Sequence, residues 1–105
     1  MKVSDKQYDA HKMLIVMDRK KIESEKKYSY RKILYALDDA FQKHGMTKDK
    51  NGWYTGGTFE VIGGAFIGLS KMDWFMENVK QWLWFDCETG ELIDFIEECK
   101  ERGEL

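Results

Sequence analysis

The chain has 105 residues, 43% hydrophobic and 34% charged, with four Trp, five Tyr and six Phe, a net charge of −2 and a pI near 5.7. That length supplies one hydrophobic core, so residues 1–105 read as a single domain whose core is rich in rings. The near-neutral charge excludes a molecule-wide electrostatic trap for nucleic acid, and no run approaches the ~18 apolar residues of a membrane span.

The charge is unevenly spread. Residues 1–52 carry 13 Lys/Arg against 8 Asp/Glu, and residues 53–105 carry 4 against 11. Such asymmetry marks either a polyanion-facing side or two halves that attract each other. The two cysteines, Cys87 and Cys99, lack C-x-x-C spacing, and the polar N-terminus has no apolar signal region. Both features point to a cytoplasmic protein with no membrane partner.

Residues 1–10 read as a loose polar arm. Residues 13–17 are continuously apolar, the mark of a strand buried on both faces. Residues 18–27 are almost wholly charged and read as a solvated loop. Tyr30, Ile33, Leu34, Leu37, Phe41 and His44 then recur at steps of three and four. That is one face of a helix, with Ser29 as N-cap and Gly45 in the left-handed position after its end.

Asn51-Gly52 marks a turn between short extended pieces at 46–50 and 53–55. Over residues 58–72, Phe59, Val61 and Gly63 would suit a strand, whereas Phe59, Ile62, Phe66, Leu69 and Met72 keep helical steps. The helix is preferred, with Gly64 and Gly68 expected to allow close approach to the sheet. Residues 72–79 connect through aromatic anchors, residues 80–88 form the last strand, and Thr89-Gly90 turns the chain. Leu92, Ile93, Phe95, Ile96 and Cys99 make the apolar face of a closing helix, whose Lys100 and Arg102 complement its dipole. The order predicts an α+β fold: a ferredoxin-like βαββαβ sheet with helices on one face, plus a C-terminal helix.

The apolar run "LIVM" ends on Asp18, and Arg19, Lys20 and Lys21 follow at once. A carboxylate so placed can bind Mg²⁺, or act as general base while the cations hold a phosphodiester. The same residues also read as a solvated acid paired with its neighbours. Lys26, Lys27, Arg31 and Lys32, interleaved with Tyr28 and Tyr30, suit either unpaired nucleic acid or a hydrated helix start. Trp53, Tyr54, Trp74, Trp82 and Trp84 read as core and interface rings. Neither a Walker loop nor G-x-G-x-x-G is present, and His11 and His44 have no second ligand at metal spacing.

"LIVMD", "FQKHGM", "GMTKDKNGWY" and "LSKMDWFMENVKQWLWFDCETGELIDF" together resemble the virulence-associated protein D (VapD) family. These are small ferredoxin-like proteins similar in fold to the small CRISPR adaptation nucleases. The resemblance runs from about residue 13 to 95 and implies a homodimeric endoribonuclease cleaving RNA at a dimer groove, often as the toxin paired with an antitoxin protein. It makes Asp18 the functional acid, the same carboxylate whose own chemistry makes it a candidate Mg²⁺ ligand. Arg19, Lys20 and Lys21 would be phosphate contacts, and Asn51 and Tyr54 would line the site. The family's turn serine falls on Gly52, a departure that removes a hydroxyl. The alternative is a non-catalytic protein-binding module of inhibitor or immunity type, using the acidic second half to mask a basic partner.

Overall fold

The computed structural model describes residues 11–102; the arm expected at 1–10 lies outside the described residues. β1 spans His11–Met17 with alternating burial: His11, Met13, Ile15 and Met17 are inside, Lys12 and Val16 outside. The strand is therefore buried on one face only, which corrects the reading of its apolar run. Side chains alternate across a sheet, and only one face of this one meets the helices.

A helix, α1 (Arg19–Glu25), stands where the charged stretch suggested a loop. Asp18 is its N-cap, Oδ1 accepting the Lys21 N–H at 3.1 Å, and Ile22 is its one buried residue. A seven-residue helix with a single anchor has no apolar period to detect. Lys26 closes it in the left-handed region, at φ 56°.

α2 (Tyr30–Lys43) forms as its spacing predicts. Ser29 Oγ accepts the Lys32 N–H at 3.3 Å, Ile33, Leu37 and Phe41 are buried, and Gly45 follows at φ 83°. β2 (Thr47–Lys48) and β3 (Trp53–Gly57) flank the Asn51-Gly52 turn, where Asp49 Oδ1 accepts from the Asn51 and Trp53 N–H groups. α3 (Phe59–Leu69) is capped by Thr58, and the short α4 (Asp73–Met76) lies in the connection to β4 (Val79–Phe85).

The closing segment differs from expectation. Residues Leu92–Asp94 form β5, pairing with Leu83, Trp84 and Phe85 of β4, and only then does α5 (Phe95–Glu101) begin. Asp94 Oδ1 accepts the N–H groups of Ile96 at 3.0 Å and Glu97 at 3.2 Å. That cap fixes the helix start after Leu92 and Ile93 have been given to the sheet.

The strands make one antiparallel sheet in the order β2-β3-β1-β4-β5. His11 faces Gly57 and Met13 faces Tyr54, so β3 carries one extra residue there. Gly56, at φ 81°, accommodates that bulge. Rings cluster at one part of the core, where fully buried Trp82 meets Phe66, Phe75 and Phe95 at centroid distances of 5.6, 4.9 and 5.0 Å. Aliphatic and methionine side chains such as Met13, Ile22, Leu37 and Ile62 fill most of the rest. Gly64 and Gly68 do not bring α3 against the sheet, because a Cβ on either would meet nothing within 4 Å. With Leu37 and Ala40 of α2 they instead line a cavity of about 500 Å³. Among the described residues no helix is long and apolar enough to cross a membrane.

Candidate nucleic-acid interface

Residues 19–32 contain seven Lys/Arg against two Glu. Folding into α1 and the first turn of α2 brings Arg19, Lys26, Lys27, Arg31 and Lys32 around two adjoining concavities. Some are engaged. Arg19 Nε is 3.3 Å from Glu23 Oε2, and its guanidinium lies 5.0 Å from the Tyr30 ring centre. Lys27 Nζ is 3.7 Å from Glu77 Oε2 and 5.5 Å from the Tyr28 ring centre, while Lys21 donates to the Glu77 carbonyl. Lys20, Lys26, Arg31 and Lys32 have no ion pair among the described residues.

Two adjoining concavities run through this surface. One, of about 560 Å³, is lined by Lys26, Lys27, Tyr28, Ser29, Lys32 and Trp74. The other, of about 640 Å³, takes in Arg19, Tyr30 and Arg31 and shares Lys26, Tyr28 and Ser29 with the first. Cations around half-exposed rings can hold phosphates and stack bases together. Lysine and arginine in the first turn of α2 also oppose the helix dipole, a local cost that a bound anion would offset. Trp74 was not foreseen here: it reaches the cationic surface only because α4 is folded back beside α2.

Asp18 lines neither concavity. It is half-buried, its backbone N–H donates to the Asn78 carbonyl at 2.7 Å, and Oδ1 is taken by the helix cap. Oδ2 has no hydrogen-bond partner among the described residues. Neighbouring Asn78 is 1% exposed and donates from Nδ2 to the Trp74 carbonyl at 2.8 Å. Arg19 and Lys21 turn to Glu23 and Glu77, leaving Lys20 as the cation next to the acid without an ion pair among the described residues.

Asn51 and Tyr54 are not brought together with Asp18. Asn51 lies in the β2–β3 turn and lines a concavity of about 480 Å³ with Lys12, Trp53, Phe85 and Leu92, on the open side of the sheet. Tyr54 points the other way, is 2% exposed, and donates its hydroxyl to Asp38 Oδ1 on α2 at 2.5 Å. Burial first, then the hydrogen bond to Asp38 and that carboxylate's charge, raise the Tyr54 pKa well above its ordinary 10.0. Tyr54 is thus a core residue with a tethered hydroxyl. Gly52 adopts φ 89°, so the turn itself favours glycine at the position where the VapD-like pattern has serine.

Comparison of the chain with known protein families, with curated proteins and with solved structures finds no match.

Proposed function

We propose that this protein binds single-stranded RNA across α1 and α2 and acts as a VapD-like endoribonuclease on a ferredoxin-like fold. The observation that carries the reading is the groove in which unpaired Lys26, Arg31 and Lys32 adjoin Tyr28, Tyr30 and Trp74. The strand order β2-β3-β1-β4, with α2 and α3 as the two crossovers, supports the ferredoxin-like description, β5 being an addition at one edge.

In this reading RNA phosphates sit on the cations and the bases stack on the rings. Asp18 stands at the end of β1, next to α1, which bears part of that surface. Its unpaired oxygen accepts the proton of a ribose 2′-hydroxyl as that oxygen attacks the adjacent phosphorus. The bond to the 5′-oxygen breaks and that oxygen takes a proton from water, leaving a cyclic phosphate and a 5′-hydroxyl end. Asp18 is not part of the one group of three metal-binding side chains among the described residues, and the proposed step uses its carboxylate as the base. A homodimer would pair two such acids. The open sheet face suits pairing, with Val16 36% and Leu92 59% exposed beside Leu14, Leu83 and Phe85.

Labelled RNA incubated with wild type and Asp18→Asn, with and without Mg²⁺, tests this. Wild-type cleavage slowed by at least about 100-fold in the variant is the expected result. Equal cleavage by both sinks the catalytic assignment. A second reading, a non-catalytic protein-binding module of inhibitor or immunity type, is favoured by one observation: capping α1 already explains Asp18. RNA binding without cleavage, or neither of the two, would favour that module.

A further inference from the structure

His11 opens β1 and is completely buried. Its Nδ1 accepts the indole N–H of Trp84 at 3.1 Å. That bond makes Nδ1 the unprotonated nitrogen of a neutral imidazole and leaves the proton on Nε2, which is buried without a hydrogen-bond partner among the described residues. Asp86 Oδ1 lies 3.8 Å from the same Nδ1, and Glu88 completes a group whose ligand atoms all fall within 4.8 Å of one another. Two lone-pair-bearing atoms thus face each other with a second carboxylate beside them. No cation among the described residues pairs with Asp86 or Glu88 except through this histidine.

We propose that His11, Asp86 and Glu88 form a binding site for a divalent transition-metal ion of the zinc type. One imidazole and two carboxylates suit a borderline ion rather than Mg²⁺ or Ca²⁺, which favour all-oxygen shells. Tetrahedral bonds of roughly 2.0–2.2 Å set two ligand atoms about 3.3–3.6 Å apart, so a closure of about 1 Å by the outermost ligand is needed. Glu88 can supply it, being the exposed member on the turn between β4 and β5, whereas His11 is fixed by its strand. Asp86 is already oriented, its Oδ1 accepting the Glu88 backbone N–H at 2.9 Å. Three protein ligands leave a further position for water.

The site is independent of the proposed RNA surface. His11 and Asp18 stand seven positions apart at opposite ends of β1, roughly 20 Å along the strand. What the ion would do is bind together the beginning of β1 and the β4–β5 turn, which already meet at the His11–Asp86 contact. Coordination through Nδ1 also displaces the Trp84 indole N–H, so indole fluorescence reports directly on occupancy.

The full chain, stripped with EDTA, is titrated with Zn²⁺ and with Co²⁺ while tryptophan emission and the Co²⁺ visible bands are followed. One ion per chain, a saturable emission change and no response to Mg²⁺ are expected. Glu88→Gln should weaken binding at least tenfold while its circular dichroism and urea midpoint stay as in wild type. His11→Gln should abolish binding, and Trp84→Phe should abolish the emission change while retaining the Co²⁺ bands. Absence of saturable binding overturns the proposal. So does equal affinity in wild type, Glu88→Gln and Asp86→Asn, which would place the ion on other residues.

Discussion

Trp84 Nε1 on β4 donates to His11 Nδ1 on β1 across 3.1 Å, joining residues 73 positions apart in the chain. The Phe59 ring closes over the pair, 6.1 Å from His11 and 5.7 Å from Trp84. The bond sets which imidazole nitrogen has a lone pair next to Asp86. It also satisfies a polar atom that burial would otherwise leave costly.

Replacing Trp84 by phenylalanine keeps a ring but removes the donor. The His11 Nδ1 then loses its partner, and we expect stability to fall by about 1–3 kcal/mol, read as a lower urea midpoint with an unchanged slope. Saturating Zn²⁺ should recover more stability in this variant than in wild type, because Nδ1 is already released.

Asp18 has a structural task as well as the proposed chemical one, and two substitutions separate them. Asparagine still caps α1, so Asp18→Asn should remain within about 0.5 kcal/mol of wild type; alanine cannot, and should cost about 1 kcal/mol. Urea titration of both, set beside their RNA cleavage rates, distinguishes loss of a base from loss of a cap.

The cationic groove makes a salt-dependence prediction. In Lys26→Ala/Lys32→Ala, RNA affinity should fall, and the plot of log affinity against log salt should flatten by about 1.4, the release of two single-strand counterions. Filter binding across a range of KCl concentrations measures it. An unchanged slope would mean that these lysines do not touch RNA phosphates.

Tyr54 makes stability depend on pH at the alkaline end. Its folded pKa is raised above the unfolded value near 10.0 by burial and the Asp38 hydrogen bond. The stabilisation is therefore complete below pH ~10 and is lost as pH rises beyond it toward the folded value. Tyr54→Phe should lower stability by about 1 kcal/mol at neutral pH and decline less steeply above pH ~10 than wild type. Thermal melts between pH 8 and 11 test both.

Where a local signal is strong, the sequence is enough. The three–four spacing from Tyr30 to Phe41, the Ser29 cap and Gly45 specify α2 nearly to the residue, and Asn51-Gly52 specifies the turn between β2 and β3. α1 escaped notice because one buried isoleucine makes no period and charge masked the cap. β5 escaped notice because Leu92 and Ile93 serve a helix face and a strand equally well until β4 lies beside them. The candidate RNA surface was half legible. Its lysines and tyrosines are consecutive in the chain, whereas Trp74 joins them only through folding.

Composition and spacing alone determined that this chain has an α+β element order and a basic first half, since each depends on residues near one another in sequence. Only the tertiary structure decided that the Tyr54 hydroxyl is tethered to Asp38, that Asn51 stands on another face from it, and that His11 meets Asp86 and Glu88. The physical reason is sheet pairing: antiparallel register with alternating side chains brings positions more than seventy residues apart to within a few ångströms, and linear spacing cannot encode which face each will occupy.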